Sequence, residues 1–179
     1  MDFRRLPDDP TDAEATIPNP RPFVFGYAIS DLLAGALCYR LAGATSRCRR
    51  HCEQGELTVR DLLDEAVYTS DARIGLFHEI IGDFRLVGAL GDHDEAYEVA
   101  AKRYETVDND LGWSMEGGFE DAIQIPLELA ESVGMGVDDD RRNELTYLSL
   151  DERIEFKRER YPEIVDAVLE AGNWESELV

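Results

Sequence analysis

Two clusters of side chains in this chain have types and spacings that suit chemistry. The first is Cys48-Arg49-Arg50-His51-Cys52, whose two thiols stand one helical turn apart and so share a face. Thiolates are nucleophiles and soft metal ligands, and neighbouring arginines favour the thiolate. Two cysteines beside one histidine do not fill the four positions of a tetrahedral zinc site. The pattern therefore reads as two small, semi-buried residues near a helix end, with thiol reactivity as the chemical alternative. Cys38, ten residues earlier, lies too far along a continuous helix to join them. The second cluster is His78, Glu79 and Asp83, in which the two carboxylates occupy positions i and i+4 of one helical face. Glu65 on the preceding helix and Asp94, Glu95 or Glu98 on the following one are placed to converge on them. Carboxylates arranged in that way hold magnesium or manganese. No cofactor or bound metal is expected from the leading interpretation.

A third grouping is basic. Arg40, Arg47, Arg49, Arg50 and Arg60 are dense against an acidic background. Arg47 and Arg50 share a helical face, and Arg40 lies two turns before Arg47 on nearly the same face. Guanidinium groups bind carboxylate and phosphate in bidentate fashion. The patch therefore suits a phosphate or carboxylate ligand, the acidic surface of a partner, or internal pairing with the acidic second half. Nothing nearby supplies a nucleophile with a base at set spacing. The expected function is a non-enzymatic binding or assembly protein that uses this patch for an acidic partner, either another protein or a second copy of the chain.

Composition narrows the setting. The 179 residues carry 39 acidic and 18 basic side chains, a net charge of -21. Such a charge repels phosphates and disfavours wholesale wrapping of nucleic acid. The basic residues are 16 arginines and two lysines, Lys102 and Lys157. An acidic, arginine-rich, lysine-poor chain resembles in composition the cytoplasmic proteins of salt-in halophiles, which implies a cytoplasmic location. Residues 1–60 hold eight acidic and eight basic side chains, so residues 61–179 carry the entire net charge. Three cysteines are no disulfide scaffold for this length, and no secretory signal is visible. The most apolar stretch, Tyr27 to Ala44, contains Asp31 and Arg40 and reads as a buried helix rather than a membrane span.

These side chains must be positioned by helices. Residues 1–22, with five prolines and four acids between Asp8 and Glu14, read as an extended proline-rich acidic arm. A helix is expected over about 26–52, then a turn at 53–57 around Gly55, with Thr58 as the next N-cap. Thr69, Ser70 or Asp71 caps a helix carrying Ile74, Phe77, Ile80, Ile81, Phe84 and Val87 at three- and four-residue steps. Another helix runs from Asp92 or Asp94 to about Val107. Loops are expected at 109–118 and 134–143, with a helix over 120–133 between them. Ser149 and Glu152 form a capping box, and the helix after it pauses at Tyr161-Pro162. The fold expected is all-α: a single compact, bundle-like domain over 23–179, with a long central helix from the near-neutral first half.

Three partial resemblances extend the list of functions. The Glu79 and Asp83 set, with Glu65 and His78, resembles the carboxylates of nucleotide pyrophosphohydrolases and di-metal bundles. That resemblance implies metal-dependent hydrolysis of a phosphorylated small molecule or RNA. Arg73 and His78, as Arg-x4-His, resemble the signature of helical nucleotide-binding ribonucleases of toxin systems. The stretch Leu57 to Leu90 resembles the helix-turn-helix part of winged-helix proteins, which implies a transcription-linked role or a dimerisation surface.

Overall fold

Gly43 sets the first reversal of the chain. Its φ of 66° lies in the left-handed region, which a residue without Cβ enters freely. Gly43 N donates to the Arg40 carbonyl at 3.0 Å and Ala44 N to the Tyr39 carbonyl at 2.8 Å, the paired closure of a Schellman motif. The computed structural model describes residues 22–64, 70–107, 119, 122, 124, 125 and 149–171. It has two helices where the apolar spacing predicts one over 26–52: α1 spans Pro22–Leu41 and α2 spans Thr45–Asp64. The turn expected at 53–57 is a second correction, because α2 runs straight through it. Gly55 serves close packing there rather than a turn, since a Cβ at this position would lie 2.3 Å from Phe84 Cζ. Thr58 is mid-helix, and its hydroxyl donates back to the Gln54 carbonyl at 2.9 Å instead of capping a new helix.

The remaining helices start where their side chains can satisfy free N–H groups. α3 spans Asp71–Gly88, and the Ser70 hydroxyl accepts from Arg73 N. α4 spans His93–Tyr104, and the Asp92 carboxylate accepts from Glu95 N. α5 spans Leu150–Glu159 behind a reciprocal capping box, in which Ser149 N donates to Glu152 Oε2 at 2.9 Å and Glu152 N to Ser149 Oγ at 3.4 Å. α6 spans Tyr161–Ala171. The expected arm lies outside the described residues up to position 21. Both expected loops lie outside them too, as does most of the helix at 120–133. Phe119, Ala122, Gln124 and Ile125 are helical, and the Phe119 ring sits 5.9 Å from that of Phe77.

The architecture is an all-α bundle, with no strand among the described residues. Its centre is α3, which packs against α1, α2 and α4, whereas the sequence pattern puts a first-half helix there. Ile80, Ile81, Phe84 and Val87 are buried on it, but so are Gly75, Glu79, Gly82 and Asp83, so apolar and polar positions are enclosed alike. α5 packs on α4, and α6 packs on α5 and reaches α1. Among the described residues no helix is long and apolar enough to cross a membrane.

Candidate functional site

The two carboxylates singled out by spacing occupy the middle of the bundle, and both are fully buried. Glycines on α3 make this possible. A Cβ at Gly75 would lie 2.5 Å from the Tyr104 ring and one at Gly82 would lie 2.4 Å from the Tyr97 ring, so each glycine is a seat for a tyrosine of the antiparallel α4. The seated rings place their hydroxyls on nearby acids of α3, four residues after Gly75 and one residue after Gly82. Tyr104 donates to Glu79 Oε2 at 2.7 Å and Tyr97 donates to Asp83 Oδ1 at 2.8 Å. Two cations arrive from α5. Arg153 Nη2 donates to Glu79 Oε2 at 2.7 Å, while Lys157 Nζ lies 2.9 Å from Glu79 Oε1 and 2.5 Å from Asp83 Oδ2. Arg153 and Lys157 are themselves 3% and 2% exposed, so two negative and two positive charges are enclosed together away from solvent.

This balance governs protonation. Burial pushes the Glu79 carboxyl up, but Arg153 and Lys157 outweigh it and hold the group down at about 2. For Asp83 burial wins over Lys157, aided by the neighbouring Glu79 charge, and lifts it to about 6. Lys157 is raised despite its burial, because Asp83 and Glu79 both stabilise its charge. The Tyr97 and Tyr104 hydroxyls are held well above the ordinary range by burial and by the acids they serve, so both remain donors. The network is neutral overall, and its acids are spoken for by cations and hydroxyls rather than open to a divalent ion. No group of three or more metal-ligating side chains occurs among the described residues. His78 is half-buried on α3, and burial together with Arg103, Arg60 and Arg85 lowers its proton affinity. Glu65 lies outside the described residues. Asp94 is exposed, with Arg158 Nε 3.4 Å from its carboxylate, and Glu95 meets Arg85 at 3.2 Å.

The arginines do not form one face. Arg40 precedes the Gly43 reversal, and its guanidinium donates to the Leu86 carbonyl at 3.2 Å and to that of Val87. It therefore closes the C-terminal end of α3, where a cation is favoured by the helix dipole. Arg60 pairs with Glu56 at 2.7 Å, and Arg49 with Glu53 at 3.0 Å, each one turn along α2. Arg47 lies over the Tyr39 ring, 5.8 Å from its centroid. Arg50 is exposed and has no ion pair among the described residues. The sequence thus yields an outward basic end of α2, made by Arg47, Arg49 and Arg50, from which Arg40 is withdrawn. α3 is covered by three other helices, so it offers no free face to a DNA groove.

Cys48 and Cys52 are buried where α2 meets the end of α3. The Cys48 thiol lies 3.5 Å from the Val87 carbonyl, its natural acceptor. A hydrogen bond from Cys52 lowers the Cys48 thiol against the effect of burial, and Arg40 adds to the lowering, which brings it to about 7. Cys52 is raised by that same contact and by burial. Spacing alone misses the partners of Glu79 and Asp83. The signal that could find them is a pair of matching periods. Gly75 and Gly82 repeat at seven, as do Tyr97 and Tyr104, while Arg153 and Lys157 repeat the four-residue step of Glu79 and Asp83. Compared with known proteins, the chain matches no family model, no curated protein and no solved structure.

Proposed function

We propose that this chain is a non-enzymatic binding or assembly protein of a salt-rich cytoplasm, and that the outer face of α2 docks an acidic polypeptide. The observation that carries the proposal is the charge at the start of α2. α3, α4 and α5 each begin with an acid in the first turn, as the positive end of a helix dipole favours. α2 has no acid there and instead presents Arg47, Arg49 and Arg50 within its first two turns. That arrangement opposes the local dipole, and an anionic partner would relieve it. Leu57 stands seven residues after Arg50 and is 61% exposed, in a shallow groove shared with Leu90 and with Arg49 and Arg60 and their ion-pair partners Glu53 and Glu56. In molar salt the screening length falls to about 3 Å, so docking must rest on contact pairs and an apolar anchor rather than on long-range attraction. The exposed Leu57 supplies the anchor, and Arg47 and Arg50, exposed and without an ion pair among the described residues, supply the contacts. The neutralised Glu79 and Asp83 weigh against the hydrolytic alternative, since neither is free to hold a metal.

The test uses fluorescein-labelled poly-glutamate and the full chain. Fluorescence anisotropy should show binding by the native protein, although its net charge of -21 would repel such a peptide everywhere else. Arg47→Gln/Arg49→Gln/Arg50→Gln should abolish it, while Arg103→Gln/Arg158→Gln, at exposed pairs elsewhere, should not. Light scattering of the same proteins separates a second copy of the chain from a foreign partner. Equal anisotropy for the native and α2-triple proteins would defeat the proposal.

A further inference from the structure

We propose that Cys48 and Cys52 form a binding site for a soft, two-coordinate cation of the copper(I) class. The two residues stand one turn apart on α2 and both face the end of α3: Cys48 Sγ lies 3.5 Å from the Val87 carbonyl, and a Cβ at Gly88 would lie 3.0 Å from Cys52 Sγ. A helical pair at this spacing has Cβ atoms about 5–6 Å apart, wider than the roughly 3.5–4.5 Å of a disulfide. A metal ion between the two sulfurs bridges that gap, and a direct sulfur–sulfur bond does not without unwinding the helix. Ligand number then selects the ion. No third His, Cys, Asp or Glu joins the thiols in any group among the described residues, so zinc and iron, which take four ligands, are not served. A cation satisfied by two thiolates is served, and thiolate ligands favour copper(I) among biological metals.

The surroundings fit the complex. Two thiolates and one monovalent cation carry a net charge of -1. The Arg40 guanidinium is held by the Leu86 and Val87 carbonyls, the latter also met by the Cys48 thiol, and it shares a cavity wall with Cys48, so it stands ready to offset that charge. The Tyr161 hydroxyl is fully buried and has no hydrogen-bond partner among the described residues, and the Cys52 charge acts on it. A metal-bound thiolate is an acceptor for that unused donor. Access comes through a cavity of about 330 Å³ with Cys48, Arg40, Thr45 and Val87 in its wall. Gly88 keeps the space open, because a Cβ there would lie 3.0 Å from Cys52 Sγ. Loading is balanced as one cation exchanged for the thiol protons present, with no electron transferred.

The experiment uses the full chain with Cys38→Ser, which removes the exposed thiol, titrated anaerobically with copper(I) against bathocuproine disulfonate. One equivalent should bind, with thiolate-to-copper absorption in the near ultraviolet. Cys48→Ala and Cys52→Ala in that background should each weaken binding about 100-fold or more, because the second thiolate acts at high effective concentration. Zinc should not compete. Where an alanine variant loses its helical spectrum, alkylation of the Cys38→Ser protein decides. Copper(I) should protect both remaining thiols from iodoacetamide together. Stoichiometry well below one, tight binding by a single-thiol variant, effective competition by zinc, or protection of only one thiol would each overturn the proposal.

Discussion

Replacing Lys157 by methionine should expose how strongly the fold depends on charge balance in its centre. The substitution keeps a long unbranched side chain and removes one positive charge from a set of two acids and two cations. Glu79 retains Arg153 and Tyr104, but among the described residues Asp83 keeps only the Tyr97 hydroxyl as a hydrogen-bond partner. A buried ion pair broken on one side costs about 3–5 kcal/mol, chiefly as the uncompensated charge left behind. With a urea m-value of about 2 kcal/mol per M, the unfolding midpoint should fall by about 2 M. The loss should also depend on pH in a defined direction. Asp83, already lifted to about 6 by burial, rises further without its lysine. A carboxyl whose folded value exceeds its unfolded one adds stability below the unfolded value and loses it as pH rises through the folded one. Lys157→Met should therefore be most harmful at pH 8 and milder at pH 5. Adding Asp83→Asn restores neutrality around the surviving Glu79–Arg153 pair, so the double variant should lose far less than the two single losses combined. Urea titrations followed by circular dichroism at 222 nm, at pH 5 and 8 in fixed potassium chloride, measure all of this. A single variant within about 1 kcal/mol of native at pH 8, or strict additivity in the double, would refute the reasoning.

Further outcomes follow from other features. Glu79 is held at about 2 against an ordinary 4.5, so its contribution is complete above 4.5 and disappears as pH falls toward 2. This amounts to about 3 kcal/mol of acid-labile stability, opposed in sign by Asp83 at higher pH, and an acid titration of the unfolding midpoint measures it. Gly82→Ala puts a Cβ 2.4 Å from the Tyr97 ring and should cost about 1–3 kcal/mol by displacing that tyrosine, read as a lower midpoint in urea. Ala89 has a φ of 49° at the end of α3, so Ala89→Gly should raise thermal stability by about 1 kcal/mol. The thermal midpoint of the native chain should rise from dilute to molar potassium chloride, since a net charge of -21 repels itself least when screened.

What could be read from the sequence was local. Ser70, Asp92 and Ser149 carry cap signals within four residues of the helices they start, and all three are observed caps. The three- and four-residue apolar steps of α3 are equally self-contained. Gly43 and Gly55 mark the limit of such reading. The sequence pattern puts Gly43 inside a helix and Gly55 in a turn, yet Gly43 reverses the chain and Gly55, mid-helix, admits the Phe84 ring. Only the neighbour distinguishes them. The same holds for the carboxylates. The spacing of Glu79 and Asp83 shows a shared face, but their counter-charges lie 74 residues away on α5. Arg153 and Lys157 look like ordinary solvent-facing charges, because most of the side chains around them on α5 are charged as well. The arginine patch was legible as a charge cluster, while the departure of Arg40 from it depends on the reversal at Gly43.

The separation between α3 and α5 also fixes an order of events at the ribosome. Asp83 is made 74 residues before Lys157. At about 5–20 residues per second, that is a delay of roughly 4–15 s. For the greater part of that interval, once Tyr104 has been added, α1 to α4 are complete and the tyrosines of α4 can seat on Gly75 and Gly82. The two acids beneath them have no counter-charge. The nascent hairpin must leave them hydrated, or satisfied by dissolved potassium, until the last quarter of the chain arrives. The C-terminal helices are therefore the committing step of synthesis, and a chain released before Lys157 carries an acidic, open seam where the finished protein is sealed.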